Sequence, residues 1–262
     1  MRAMDYPYCQ RPFTVLAHRG GAGMAVNTGI ENTLAAFSHA LEVGCTHLET
    51  DVHATSDGVL VAFHDPMLDR VTDESGIIAA MPWHKVKHAK VGGEPIATLD
   101  EILDAFPESF VNIDIKHDGA TQPLIDVLSR HRAWQRVCVG SFSSKRIRTF
   151  RRLARERTAT AVGPVGVGWA VVGPHRMQMT EGDAYQVPHR LTRYGVPLVT
   201  PSFIEAAHRL GRAVHVWTVN EISEARELMD MGVDGIVTDR PDLMCEFARV
   251  HQPKEAPTLI PR

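Results

Sequence analysis

The sequence lacks the features of a membrane-spanning or disulfide-stabilised protein. No uninterrupted apolar run approaches the ~20 residues that span a bilayer, and residues 1–13 contain no apolar core of the length that a signal peptide needs. Only four of the 262 residues are cysteines, and none forms a Cys-x-x-Cys pair. They are therefore predicted to be free thiols in a reducing compartment. We expect a cytoplasmic protein without stable membrane insertion.

A strong excess of either charge is also missing. Lysine and arginine number 28 against 31 acidic residues, which gives a formal net charge of -3. This balance offers no electrostatic reason to expect nucleic acid or an anionic membrane as the main partner. The hydrophobic fraction of 44% is sufficient for a full core. Histidine is plentiful, with fourteen copies, and imidazole serves both acid/base and metal chemistry.

Short apolar runs alternate with segments of helical periodicity along the chain. This alternation is typical of βα units around a parallel sheet. The predicted strands are 14–17, 47–52, 111–115, 137–140, 158–162, 184–187, 213–219 and 235–238, and the predicted helices are 32–43, 122–131, 143–155, 201–210, 221–231 and 241–250. The fold class is predicted to be α/β, a (β/α)8 TIM barrel, rather than an open doubly wound sheet.

Two segments interrupt the alternation, and nothing marks a second domain in residues 1–262. Ser56-Asp57-Gly58 predicts a tight turn that returns residues 59–63 as an extra strand. We expect an insertion over the barrel mouth at about 54–97, followed by a helix that is capped from Thr98 to Glu101. Residues 163–181 are predicted to form a loop and a short helix, and residues 252–262 a flexible tail.

Charged and imidazole side chains fall where the predicted strands end. Active-site groups of such barrels lie at the carboxyl ends of the strands. Alternation along a strand places Glu49 and Asp51 on one face, and Asp114 and Lys116 on one face of the next strand. Three converging carboxylates repel each other unless a cation or a lysine lies among them. Hard oxygen ligands favour one Mg2+ or Ca2+ ion.

The motifs, taken in order, resemble those of the glycerophosphodiester phosphodiesterase family. The resemblance extends from about Val15 to Leu243. It is carried by His18-Arg19-Gly20, Glu31-Asn32-Thr33, Glu49-Thr50-Asp51-Val52, Asp57-Gly58, His64-Asp65, Asn112-Ile113-Asp114-Ile115-Lys116, Ser141-Phe142-Ser143, Trp217-Thr218-Val219-Asn220, Gly232-Val233-Asp234-Gly235 and Thr238-Asp239-Arg240-Pro241. Any one of these pieces would be weak, but the ordered set is highly specific.

The resemblance implies a function and a set of roles. It implies hydrolysis of glycerophosphodiesters to sn-glycerol 3-phosphate and an alcohol, with a cyclic phosphate formed by attack of the substrate's own hydroxyl. His18 and His64 would be general acid and base, with imidazole pKa values suited to neutral pH. The remaining implied roles are phosphate or substrate binding by Arg19, Lys116 and Trp217, and metal binding by Glu49, Asp51 and Asp114.

The sequence departs from the family pattern at two places. The third metal position is Asp114 where the family more often has glutamate, so its carboxylate lies about one methylene farther from the ion. The loop between Gly20 and Glu31 also contains a few extra residues. Both differences bear on the metal preference and on the substrate entrance.

Several residues also have purely structural interpretations. His18 alone at a strand end is more often a hydrogen-bonded structural histidine, Glu31-Asn32-Thr33 suits a helix cap, and Asp239 before Arg240-Pro241 suits another. A basic run could bind anionic lipid or nucleic acid, but interleaved apolar residues favour an amphipathic helix with a solvated face. The run consists of Lys145, Arg146, Arg148, Arg151, Arg152, Arg155 and Arg157.

Three other functions remain as alternatives. A lysophospholipase D acting on single-chain lipids would need an apolar groove at the barrel mouth. A non-catalytic phosphate-binding barrel would need no acid/base pair. A metal-dependent lyase or aldolase would share the acidic cluster but not this order of motifs.

Overall fold

A barrel of parallel strands organises the chain, seen here in a computed structural model that describes residues 2–10, 13–155, 157–191 and 195–251. The strands are β1 Thr14–Ala17, β2 His47–Ala54, β3 Leu60–Ala62, β4 Lys90–Val91, β5 Glu94–Pro95, β6 Phe110–Ile115, β7 Val137–Gly140, β8 Ala159–Thr160, β9 Ala184–Pro188, β10 Arg190–Leu191, β11 Val196–Pro197, β12 Ala213–Trp217 and β13 Gly235–Thr238. The order β8-β7-β6-β2-β1-β13-β12-β9 joins eight parallel strands. The predicted TIM barrel is confirmed.

The barrel closes between its shortest strand, β8, and β9. A parallel bridge pairs Ala161 with Ala184. Val162 N donates to Ala184 O at 2.8 Å, and Asp183 N donates to Thr160 O at 2.7 Å. These few bonds take the place of a continuous β-ladder between β8 and β9. β8 is also shorter than the predicted strand 158–162.

Helices cover the outside of the barrel. They are α1 Leu34–Glu42, α2 Trp83–Val86, α3 Leu99–Ala105, α4 Thr121–Arg130, α5 Ser144–Ala154, α6 Pro164–Val172, α7 Pro201–Arg209, α8 Ile222–Asp230 and α9 Pro241–His251. Hydroxyl side chains start several of them by accepting a free amide of the first turn: Thr33 caps α1, Thr98 caps α3, Ser143 caps α5 and Thr200 caps α7. No helix of the described part of the chain is both long and apolar enough to cross a membrane. The predicted compartment stays a prediction.

The insertion after β2 has its own small core. β3 pairs antiparallel with β2, with Val52 opposite Ala62, as the turn at Asp57-Gly58 predicts. Apolar side chains of this segment then pack against each other beside the barrel mouth: Val61, Phe63, Leu68, Ile78, Val86, Ala89, Val91 and Ile96. This packing holds His64 and the residues after it in fixed positions.

The amino-terminal segment fills the opposite end of the barrel. The Tyr8 ring packs edge-on against His47, with ring centroids 4.9 Å apart, and its hydroxyl donates to Asn112 Oδ1 at 3.1 Å. Tyr6 and Tyr8 are both almost fully buried. Because this end is filled, the free space inside the barrel lies at the carboxyl ends of the strands.

Two local predictions need adjustment, and a third is not tested. Residues 163–181 contain a full nine-residue helix, α6, where a loop with a short helix was expected. The seventh predicted strand ends at Trp217, two residues early, because Val219 N bonds to Val237 O after the chain has turned. The predicted flexible tail 252–262 lies outside the described residues.

The capped start of α3 gives a stability prediction. Thr98 Oγ1 accepts from Glu101 N at 3.2 Å, and Glu101 Oε2 accepts from Thr98 N at 2.8 Å. Thr98→Ala removes one half of this reciprocal cap and should lower the free energy of unfolding by about 1 kcal/mol in urea titrations. Thr28→Ala is the control because Thr28 is exposed and caps no α-helix. Equal losses in the two variants would contradict the assigned role of the cap.

Candidate active site

A cavity of about 480 Å³ lies at the carboxyl ends of the barrel strands. All eight site residues predicted from the sequence line it: His18, Arg19, Glu49, Asp51, His64, Asp114, Lys116 and Trp217. They come from four different strands or the loops after them and from the insertion. Closure of the barrel therefore brings together groups that are up to 199 residues apart, from His18 to Trp217.

His18 is held from behind by a carboxylate. Its Nδ1 lies 2.6 Å from Asp239 Oδ1, and its Nε2 lies 4.0 Å from Glu49 Oε2. Burial lowers the pKa of the His18 imidazole, but the hydrogen bond to Asp239 and the charge of Glu49 outweigh it. The pKa of His18 is therefore raised above its ordinary value, which favours the charged imidazole.

Asp239 was interpreted from sequence as a helix cap, and the structure gives its carboxylate a different position. Asn220 Nδ2 donates to Asp239 Oδ2 at 2.9 Å, so both carboxylate oxygens have partners. Burial opposes the charge, yet the bonds from His18 and Asn220 lower the pKa of Asp239. The position of Asp239 directly after β13 could have indicated a role in the site, because other site residues also follow barrel strands.

His64 has a similar partner from its own loop. Its Nδ1 lies 2.6 Å from Asp65 Oδ1, and Arg70 binds the other oxygen of Asp65. Burial raises the pKa of Asp65, but the bonds from Arg70 and His64 prevail and lower it to about 2. Asp65 is therefore an ionised acceptor at neutral pH. The His64-Asp65 pair was predicted from the sequence, but the contribution of Arg70 was not.

Arg70 also connects the insertion to the first loop of the barrel. Its Nη2 lies 2.6 Å from Glu31 Oε1, and the same oxygen lies 3.1 Å from Arg19 Nη1. Glu31-Asn32-Thr33 thus does more than cap a helix: Thr33 caps α1, while Glu31 and Asn32 border the site. Asn32 Nδ2 donates to Asp51 Oδ2 at 3.3 Å.

Arg19 has a backbone conformation that is uncommon for a residue with a side chain. Its φ is 51°, in the left-handed region. This conformation points its amide at Glu49 Oε2, 3.0 Å away. The guanidinium Nε lies 3.5 Å from Asp51 Oδ2 without a hydrogen bond to any described residue. The buried Nε–H of Arg19 therefore lacks a hydrogen-bond acceptor among the described residues.

Lys116 lies between two of the three carboxylates. Its Nζ is 2.8 Å from Asp51 Oδ1 and 2.7 Å from Asp114 Oδ2. Burial opposes ionisation of Asp51, but the ammonium charge outweighs it and lowers the pKa of that carboxyl. Asp114 shows the opposite balance, because burial keeps its pKa above the ordinary value despite Lys116. Lys116 therefore neutralises only part of the acidic cluster.

The remaining negative charge suits a hard cation. Burial raises the pKa of Glu49 to about 7, and the charge of Asp51 adds to the rise. Asp114 Oδ1 is buried and accepts no hydrogen bond from the described residues. Such an oxygen is costly to bury unless a cation or donor satisfies it. Carboxylate oxygens are the ligands that Mg2+ and Ca2+ prefer, so the donor set fits the predicted ion.

The carboxylates are not already arranged around a metal. Within residues 2–10, 13–155, 157–191 and 195–251, no three histidine, cysteine or acidic side chains are grouped closely enough to hold an ion. The contacts of Lys116 with Asp51 and Asp114 account for this, because they draw two of the three carboxylates onto the ammonium. Binding of an ion would require these side chains to adjust.

The opposite wall of the cavity is apolar. It consists of Phe142, Ala161, Val162, Pro164, Val167, Val187, Pro188 and Trp217. Trp217 meets Phe142 edge-on with ring centroids 5.8 Å apart, and Lys116 Nζ lies 5.4 Å from the Phe142 ring. The cavity thus has a charged half and an apolar half, which suits a ligand with one polar and one apolar end.

Known proteins match both the sequence and the fold. A sequence model of the glycerophosphoryl diester phosphodiesterase family matches residues 18–243. The probable glycerophosphodiester phosphodiesterase 2 of Mycobacterium tuberculosis is 40% identical over 238 residues, covering 87% of this chain and 88% of that protein. The glycerophosphodiester phosphodiesterase of Caldanaerobacter subterraneus is 29% identical, covering 90% and 97%.

Solved structures share the architecture. An Oleispira antarctica phosphodiesterase in complex with the product sn-glycerol-3-phosphate superimposes with a TM-score of 0.77 at 23% identity, covering 95% of this chain and all of that one. At this identity the likeness shows the barrel fold. Since the family match spans most of the sequence and agrees with the motifs around the cavity, the chain belongs to the glycerophosphoryl diester phosphodiesterase family.

Proposed function

We propose that the protein hydrolyses glycerophosphodiesters to sn-glycerol 3-phosphate and an alcohol, with His18 and His64 as general acid and base and one divalent cation. As a member of its family it is a phosphoric diester hydrolase. The observation that carries the finer proposal is that two carboxylate-backed imidazoles line one cavity together with two cationic side chains and an acidic cluster. A relative of the same fold binds the proposed product.

The hydrogen bonds behind the two imidazoles support their proposed roles. An ionised carboxylate only accepts hydrogen bonds, so Asp239 and Asp65 require Nδ1–H on His18 and His64. Each Nε2 is then the nitrogen left to give or take a proton. With one imidazole as base and the other as acid, a substrate hydroxyl can lose its proton while the leaving oxygen gains one.

The chemistry needs no nucleophile from the protein in this proposal. The hydroxyl beside the phosphoester on glycerol attacks phosphorus, the bond to the alcohol breaks, and water then opens the cyclic phosphate with the two imidazoles in exchanged roles. Ser141 lines the cavity, but its hydroxyl donates to Ile115 O at 2.8 Å. That bond leaves it poorly suited to attack, which favours the route through the substrate's hydroxyl.

The cationic groups would bind the phosphate. Arg19 offers a planar donor fork with an unused Nε–H, and Lys116 supplies a point charge. Glu49, Asp51 and Asp114 would hold the divalent cation, which when bound supplies positive charge for a phosphate oxygen. Trp217 and Phe142 would pack against the glycerol or the alcohol.

The imidazole assignment gives a kinetic prediction. Loss of an acid/base group should lower kcat on glycerophosphocholine by about 100-fold or more in His18→Ala. His88→Ala is the matched control, because this histidine is exposed and lies outside the cavity. ³¹P NMR measures the loss of diester and resolves cyclic phosphate from glycerol 3-phosphate. A fully active His18→Ala would rule out the proposed role, and hydrolysis of a diester whose glycerol lacks the neighbouring hydroxyl would rule out the two-step route. A wild-type protein that binds but does not turn over would indicate the non-catalytic barrel.

Metal removal is a separate prediction. Treatment with a chelator should abolish hydrolysis, and Mg2+ or Ca2+ should restore it. Glu49→Gln removes one negative ligand and should raise the metal concentration for half-maximal activity by about tenfold or more. Glu246→Gln on the exposed face of α9 should leave that concentration unchanged. Full activity of wild type in excess chelator would show that Lys116 and Arg19 suffice without an ion.

A second candidate activity is cleavage of single-chain lysophospholipids. This activity needs an apolar groove at the barrel mouth that can bind the acyl chain. The apolar half of the cavity supplies such a groove. An acyl chain could lie along Val162, Pro164 and Val167 while the phosphate stays with the charged half. This candidate uses the same reacting groups as the first.

The wall residue Val167 separates the two candidates. Val167→Thr keeps the side-chain shape but replaces a methyl group by a hydroxyl, and should lower kcat/KM on lysophosphatidylcholine by about fivefold, roughly 1 kcal/mol. The rate on glycerophosphocholine should change little. Val171→Thr on the same helix is the control, since Val171 is exposed and does not line the cavity. If the wild-type enzyme leaves lysophosphatidylcholine intact, the second candidate is eliminated.

A further inference from the structure

One exposed surface of the molecule has an unusual composition. The helix α6, Pro164–Val172, has the sequence PVGVGWAVV, with no charged side chain. It packs on the barrel through Ala170, which is buried, and Val167, which is partly buried. Its other apolar side chains are exposed, and Met179 follows nearby. We call this set the α6 patch: Val165, Trp169, Val171, Val172 and Met179, exposed by 56%, 38%, 44%, 64% and 68%.

Such a patch is not required by the barrel. A surface helix of a globular protein normally shows polar residues on its outer face. The neighbouring α5 follows that rule, because it buries Ile147, Phe150 and Ala154 and exposes basic residues. Grouped exposed apolar side chains mark binding surfaces for proteins, membranes or ligands. At nine residues, α6 is too short to cross a bilayer but suited to lie against one.

Basic residues lie next to the α6 patch. The helices α5 and α6 border a groove of about 250 Å³ that contains Ile147, Arg148 and Arg151 on one side and Val165 and Trp169 on the other. Lys145, Arg148 and Arg152 are exposed on α5, and the Arg176 guanidinium lies 5.2 Å from the Trp169 ring. Among the described residues that line this groove, the carboxylate is that of Glu181, which lies 3.8 Å from Arg151. The border of the patch is therefore net positive.

We infer that the α6 patch and the basic residues of α5 form a docking surface for an anionic lipid bilayer. Apolar side chains and a tryptophan would enter the interfacial layer, while Lys145, Arg148 and Arg152 would face the headgroups. The basic run of α5 was interpreted from the sequence as a solvated face. In this inference the anionic lipid headgroups are its partner. This surface is distinct from the catalytic groups.

The position of the patch favours a lipid over a second copy of the chain. A two-fold contact between copies would place the same basic residues of α5 close to each other, at a cost in repulsion. A lipid surface instead complements them. The α6 patch also adjoins the cavity, because the same helix contributes Pro164 and Val167 to the apolar half of the cavity. The exposed Phe142 lines that half as well. Docking there would place the cavity next to the membrane surface.

Vesicle sedimentation tests the inference with the full-length protein. Vesicles of phosphatidylcholine alone are compared with vesicles that also contain phosphatidylglycerol. Wild type should bind the anionic vesicles more tightly, and added salt should weaken the binding. The variants Trp169→Glu and Val172→Glu should each lose about tenfold or more in vesicle affinity, because a charge replaces an apolar side chain that would enter the interfacial layer of the bilayer. Neither residue lines the catalytic cavity.

Two further variants sharpen the test. Val250→Glu places the same charge at an exposed apolar position of α9 and should bind vesicles like wild type. Arg148→Glu retains the apolar patch and should weaken binding to anionic vesicles at low salt only. Circular dichroism and thermal unfolding establish that each variant is folded.

Several outcomes would overturn the inference. The inference fails if the wild-type protein binds neither kind of vesicle, or if Trp169→Glu binds vesicles as tightly as wild type. It also fails if light scattering shows that wild type is a dimer and that Val172→Glu is not. The last result would assign the patch to a second copy. Hydrolysis of glycerophosphocholine in solution is measured in parallel and should be unchanged in these variants. Loss of vesicle binding with full hydrolysis leaves the proposed function intact, whereas vesicle binding without any hydrolysis contradicts the proposed function alone.

Discussion

Buried negative charge at the mouth of the barrel governs the arrangement of the site. Glu49, Asp51 and Asp114 are all nearly inaccessible to solvent, and ionised groups in such surroundings need compensation. Lys116 compensates Asp51 and part of Asp114, while Arg19 approaches Asp51 from the other side. The compensation is incomplete: Glu49 has a pKa of about 7 and Asp114 retains an oxygen without a donor. This remaining demand for positive charge is the physical basis for expecting a cation.

The same demand for compensation extends to the imidazoles. His18 lies between Asp239 and Glu49, and His64 is bound to Asp65, so each ring has a fixed orientation and a defined protonated nitrogen. Arg70 and Glu31 connect the His64 side of the site to Arg19. A change at one carboxylate would therefore affect more than its direct neighbour, because these groups share charge through one network.

The apolar half of the cavity is formed by different elements. Ala161 and Val162 after β8 and Val187 and Pro188 of β9 contribute small or apolar side chains, and α6 closes the wall with Pro164 and Val167. In the proposed function, this division would let phosphate chemistry proceed on one side while the other side accepts varied groups. Because α6 also carries the exposed patch, one helix would serve both the cavity and the proposed lipid contact. Substrate choice and location on a bilayer would then be linked through the same nine residues.

The sequence by itself determined the eight barrel strands, most helices and eight of the residues that line the cavity. These follow from local periodicity, from caps such as Thr98 with Glu101, and from the rule that functional groups follow barrel strands. The tertiary structure alone decided which groups touch. His18 and Asp239 are 221 positions apart and meet only because β1 pairs with β13. Lys116 meets Asp51 because β6 pairs with β2. Local patterns encode the elements, but charge partners depend on strand order and barrel closure, which no short stretch of sequence contains.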